Sequence, residues 1–228
     1  MMRIARDLSG PVVVINRFAV KQDARLFEQQ FLEHIGSVGR RGNVDLMTTF
    51  RSVGQPGNYI HFGFWRTLGA FVETVHDEAI LREVAEVGTL VDTRADQAEC
   101  LGEVRGDAVS GRLSAACAVV SGYRVHGRVH DFEERLWRRA DHLARHGGPS
   151  SVRVLRSFLS PRDYITLEWG EDSHLFDRVL RSSAYHEMTA DIVEVADVEA
   201  DVAQCIAEKG QPRDRLRHWC PRGVVPSR

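Results

Sequence analysis

The chain carries two copies of one pattern, and any fold it adopts must accommodate that duplication. Phe27, Phe31, Ile35 and Val38 recur with the i, i+4, i+8, i+11 rhythm of a buried helix stripe, and Phe132, Leu136, Ala140 and Leu143 reproduce it. The apolar run from Val12 to Val20 answers the run from Cys117 to Val125, which pairs Asn16 with Ser121 and Phe18 with Tyr123. Ala98-Glu99-Cys100-Leu101 likewise answers Ala203-Gln204-Cys205-Ile206. Most of these offsets are 104 or 105 residues. Trp65 precedes Arg82 by 17 residues, and Trp169 precedes His186 by the same number. Aligned on the tryptophans, Phe71, Val75, Ile80 and Val84 map onto Leu175, Val179, Ala184 and Met188.

Each copy has the usual size of one compact domain, which divides the chain into residues 1–107, residues 108–210 and a tail, residues 211–228. With 43% hydrophobic residues, 27% charged residues and a formal net charge of -2, no acidic or basic excess points to nucleic acid or a membrane surface. The opening Met-Met-Arg-Ile-Ala-Arg lacks the apolar run of a secretion signal, and no stretch approaches the roughly 18 apolar residues of a membrane span. A cytoplasmic protein is expected. Cys100, Cys117 and Cys205 lie in apolar or strand-like segments and are expected to fill core volume; the role of Cys220, in the tail, is open.

In the first copy, β-branched Val12 to Ile15 predict a strand over residues 11–20, followed by a helix over 22–38. Strands over 44–52 and 58–66 flank Gly54-Gln55-Pro56-Gly57, a hairpin turn signal. Helices over 67–75 and 78–88 and a strand over 97–105 complete the copy. The second predicts strand 115–125, helix 129–146, strands 151–159 and 162–170, helices 172–181 and 183–192, and strand 197–208, with Gly106 to Ser114 as linker. This order is that of a ferredoxin-like α+β unit, with an antiparallel sheet that carries its helices on one face. Two such sheets in one chain can cover each other, so the expected fold is α+β: two ferredoxin-like repeats packed sheet to sheet as an intrachain barrel.

The segments Asn58-Tyr59-Ile60-His61-Phe62-Gly63-Phe64-Trp65 and His76-Asp77-Glu78-Ala79-Ile80-Leu81-Arg82-Glu83, with Phe71 between them, resemble the antibiotic biosynthesis monooxygenase family. Tyr164-Ile165-Thr166-Leu167-Glu168-Trp169 and Ser182-Ser183-Ala184-Tyr185-His186-Glu187 carry the same likeness in the second copy. The resemblance covers residues 11–208 and is greatest to the quinone-forming branch, which oxygenates anthrone-type aromatic polyketides. It implies an aromatic substrate and O2, with no cofactor. The alternative is a reduced flavin from a separate flavin reductase, as in ring-cleaving oxygenases of this fold. It also implies that Trp65, a polar residue four positions earlier and a helical Arg surround the substrate. His61 stands where an amide is usual, and Arg82 matches the Arg. Expected roles are His61 as proton acceptor, Arg82 as holder of a phenolate or oxyanion, and Trp65 as a wall against the rings. Asn16, Phe18, Phe71, His76, Tyr123, Trp169, Tyr185 and His186 are the further candidate substrate contacts.

In the second copy, Ile165 replaces the polar group and His186 the Arg, so the first pocket is the expected catalytic one. Each residue also has a plainer role: the tryptophans as core, His61 as a structural histidine, Arg82 as partner of Glu78, Glu83 or Glu86, and His76 as a helix end. His142 and His146, spaced i, i+4, lack a third ligand nearby, and no metal is expected. A cyclase or isomerase that works without O2, or a non-catalytic ligand-binding barrel, are the competing functions. The chain is expected to be a monomer or a homodimer.

Overall fold

A computed structural model describes residues 9–106, 117–146, 151–170 and 173–210. The expected linker, apart from Gly106, and the tail with Cys220 lie outside these residues.

Asp23 caps the first helix by accepting hydrogen bonds from the amides of Arg25 and Leu26, and the helix buries Phe27, Phe31, Ile35 and Val38, the stripe seen in the sequence. The elements are β1 (Val12–Val20), α1 (Ala24–Arg40), β2 (Val44–Ser52), β3 (Asn58–Trp65), α2 (Leu68–Val75), α3 (Glu78–Leu90) and β4 (Val91–Arg105), then β5 (Cys117–Val125), α4 (Val129–Arg145), β6 (Ser151–Ser157), β7 (Asp163–Gly170), α5 (Ser173–Leu180), α6 (Ser183–Val193) and β8 (Ala196–Gly210). Every strand pairing is antiparallel, and the eight strands close into one barrel in the order β1-β3-β2-β8-β5-β7-β6-β4. The α+β fold, with two ferredoxin-like repeats forming an intrachain barrel, is thus the one expected. No helix among the described residues is long and apolar enough to cross a membrane.

Closure comes from the two longest strands. The first part of β4 pairs with β1, from Val91 opposite Val20 to Ala98 opposite Val13. The remainder crosses to the other repeat and pairs with β6, ending with Arg105 opposite Ser151. In the same way β8 pairs first with β5 and then with β2. These strands start before the expected residues 97 and 197. Their opening stretches, such as Asp92-Thr93-Arg94, are exposed and polar and carry no apolar alternation, although their backbones are paired.

The hydrogen-bond ladders also fix how the repeats align. Val12 lies opposite Trp65 in the first repeat, and Cys117 lies opposite Gly170 in the second. The offset is therefore 105 throughout, and the shift of 104 at the tryptophans is incorrect. Trp169 corresponds to Phe64, Thr166 to His61, Glu168 to Gly63 and Gly170 to Trp65. Because strand side chains alternate, this single-residue slip reverses a face. Tyr164 meets Phe132 of α4 and Glu168 meets Arg139 of α4, so Ile165, Leu167 and Trp169 point the other way, into the barrel. There the Arg153 guanidinium carbon lies 4.7 Å from the Phe64 ring centre and 4.9 Å from that of Trp169. Trp169 is barrel core rather than a pocket wall.

Candidate functional site

Between the first repeat's sheet and its helices lies a cavity of about 360 Å³, within the range of small-molecule sites. Its floor comes from alternate residues of two neighbouring strands: Val14, Asn16 and Phe18 of β1, and His61, Gly63 and Trp65 of β3. Helix α1 contributes Phe31, His34, Ile35 and Val38, and α3 contributes Ile80, Leu81, Val84, Val87 and Gly88. Leu81 and Val84 line the cavity and are still 48% and 47% exposed, which puts them at its mouth. Gly63 makes the chamber possible. A Cβ there would stand 2.8 Å from Trp65 Nε1, so only glycine lets the indole lie back across the strand.

Among the described residues, His34 and His61 are the only ionisable side chains that line the cavity. The His61 Nδ1 is 2.9 Å from the Thr49 hydroxyl, and Phe31 meets the His61 ring edge-on at 5.2 Å. Burial, with a smaller contribution from His34, pushes the His61 pKa down to about 3. The ring is neutral at pH 7, and its conjugate acid is disfavoured by roughly 5 kcal/mol relative to water. That suits a hydrogen-bonding group better than the expected proton acceptor. His34 differs: its Nδ1 is 2.9 Å from Glu83 Oε2, while the Ser37 hydroxyl donates to Glu83 Oε1 at 3.0 Å.

Of the expected site residues, Asn16, Phe18, His61 and Trp65 line this cavity. Phe71 stands behind the indole, 5.3 Å from Trp65 ring to ring. Arg82 does not line the cavity. It lies on the exposed face of α3, where its Nε donates to the Glu78 carbonyl at 3.3 Å, so it is not in place to hold an oxyanion inside. His76 closes α2, with its Nδ1 2.7 Å from the Val72 carbonyl, and is likewise outside the cavity. His34 and Glu83 were not among the expected residues.

In the matching region of the second repeat, larger or charged side chains replace lining residues of the first. Arg139 stands where the first repeat has His34, Glu168 where it has Gly63, Tyr185 where it has Ile80 and Tyr123 where it has Phe18. Arg139 pairs with Glu168 and donates to the Tyr123 hydroxyl at 2.7 Å, and Thr166 donates to Glu168 at 3.0 Å. The guanidinium also lies 5.2 Å from the Tyr185 ring centre. Burial alone would lower the Arg139 pKa, but the Glu168 carboxylate together with Tyr123 and Tyr185 outweighs it and holds the guanidinium charged. Burial raises Tyr185 to about 12, so it too keeps its proton at neutral pH. Tyr123 and Trp169 thus belong to packed interior, Tyr185 is half-buried against it, and His186 is exposed on α6.

Among the described residues no lysine or arginine lines the first cavity, so none of them offers a flavin phosphate a cationic partner there. No group of three potential metal ligands occurs among the described residues. His146 instead closes α4, with its Nδ1 2.8 Å from the His142 carbonyl.

No family model matches the chain, and no curated protein matches it. Solved structures do. A provisionally named monooxygenase of Fusobacterium nucleatum subsp. nucleatum is similar with a TM-score of 0.72 and 9% identity, over 90% of this chain and 96% of that one. A provisionally named monooxygenase of Lactobacillus acidophilus matches with a TM-score of 0.66 and 10% identity, over 89% and 97%. A protein described as anthrone oxidase-like matches with a TM-score of 0.68 and 15% identity, over 90% and 94%. These likenesses establish a shared fold.

Proposed function

We propose that the chain is an oxygenase whose first repeat binds a polycyclic aromatic substrate, deprotonates it and exposes the carbanion to O2, as in the tailoring of an aromatic polyketide during antibiotic biosynthesis. The observation that carries this reading is the cavity itself: an apolar chamber with Phe18, Phe31 and Trp65 in its walls, whose only titratable groups among the described residues are two imidazoles. The shared fold supports it, since the similar chains carry monooxygenase and anthrone oxidase-like names.

Such a pocket suits a substrate that supplies its own electrons. Removal of a methylene proton from an anthrone-type ketone leaves a carbanion delocalised onto the keto oxygen. Asn16 and neutral His61 hydrogen-bond that oxygen as charge builds on it, and Trp65 packs against the rings. The carbanion passes one electron to O2, and the radical pair combines to a substrate peroxide that takes up a proton. Loss of water then gives the second carbonyl. Overall CH2 and O2 become C=O and H2O: the carbon loses four electrons and O2 gains four. The apolar walls exclude water from the carbanion.

Anthrone in 18O2 tests the reading. One labelled atom should enter the new carbonyl, and turnover should stop under nitrogen. Equal turnover without O2 would overturn it and point to a cyclase or isomerase.

A further inference from the structure

We propose that His34, oriented by Glu83, is the base that takes the substrate proton; this rests on the oxygenase reading above and names the group that starts its chemistry. A carboxylate has no proton to give, so in the His34–Glu83 contact the imidazole donates through Nδ1. The lone pair is then on Nε2, in a ring that lines the cavity. When Nε2 accepts the substrate proton, the C–H bond breaks, its electron pair stays on the substrate carbon, and the imidazolium formed faces Glu83. The carboxylate is anchored through both oxygens, Oε2 by His34 and Oε1 by Ser37, whose hydroxyl also accepts from Arg40 at 3.0 Å. His34 sits on α1 and Glu83 on α3, so the contact also ties together two helices that flank the cavity.

His61, the other imidazole, has a hydroxyl rather than a carboxylate as its partner, so no negative charge faces its protonated form. The second repeat offers an internal contrast. Arg139 occupies the His34 position there and Met188 the Glu83 position, so that copy keeps neither half of the pair. Glu83 acts through His34 and is a positioning residue. His34 is the catalytic one.

Proton removal can be measured apart from oxidation. Under nitrogen in D2O, the full-length protein should accelerate hydrogen–deuterium exchange at the anthrone methylene, read by NMR, while quenching of tryptophan fluorescence reports binding. His34→Ala should lose about 100-fold or more of both exchange and aerobic turnover, with anthrone binding changed less than about threefold. Free imidazole should restore part of the loss, which it would not do for a merely structural defect. Glu83→Gln, which still offers an acceptor to Nδ1, should lower kcat less than Glu83→Ala, with KM unchanged in both. A folded His34→Ala protein that exchanges and turns over anthrone as fast as wild type would overturn the proposal and leave the oxygenase reading standing. Wild-type exchange without any O2-dependent turnover would do the reverse. If the wild type neither binds nor exchanges anthrone, both are overturned.

Discussion

The two repeats share one backbone plan and place opposite contents in the same position. In the first, glycine at 63 and a histidine at 34 line an open chamber. In the second, glutamate at 168 and arginine at 139 fill the matching region with an ion pair flanked by two tyrosines. The strand position two residues on changes with it: Trp65 in the first repeat corresponds to Gly170 in the second. Gly63 precedes Trp65 by two residues, whereas Glu168 precedes Gly170, so the strand that has lost a bulky indole has gained a carboxylate. One duplicated pocket can thus serve as a site in one copy and as structure in the other.

The largest effect should come from breaking the filled copy. Arg139→Met leaves Glu168 buried without its partner and should destabilise the fold by about 3–5 kcal/mol in urea unfolding. Adding Glu168→Leu should return most of that loss, since an apolar pair no longer strands a charge. The open copy should show its buried imidazole through pH. His61 holds its proton below about 3 when folded but below 6.5 when unfolded, so its contribution is complete above pH 6.5 and lost as pH falls toward 3. Between pH 7 and 5 that loss is about 2 kcal/mol, and it should be absent from the difference in stability between those pH values in His61→Asn. A smaller effect is expected for Gly63→Ala, whose added Cβ displaces the Trp65 indole. Affinity for anthrone should fall about tenfold, or ~1.4 kcal/mol, in a fluorescence titration. Arg82→Ala should change binding, turnover and stability least, each by less than about 0.5 kcal/mol, because its side chain lies outside the cavity.

The duplication, the order of elements and the helix stripes were legible because burial periodicity survives divergence. What misled was the most conspicuous residue. Matching Trp65 to Trp169 slides the repeats by one, although Tyr59 and Tyr164 nearby already keep the 105-residue offset. In a strand that slip inverts inside and outside, so it makes Trp169 a pocket wall and Ile165 the counterpart of His61. Family likeness fixes the helix that carries Arg82 but not the face it presents, which is the exposed one. His34 carried a usable signal: with Phe31, Ile35 and Val38 it completes an i, i+3, i+4, i+7 face, so a polar ring there must turn toward the core side. Its partner lies 49 residues away on another helix, and only the fold brings them within 2.9 Å.

The crossing of β4 and β8 between repeats has an evolutionary corollary. Each copy completes its sheet with the end of the other's last strand, so a copy produced alone would present bare strand edges and tend to associate through them. The second repeat therefore cannot be deleted without leaving its twin's strand edges bare. It persists as half of a wall, and its interior is free to accumulate whatever packing keeps that wall rigid around the neighbour's chamber.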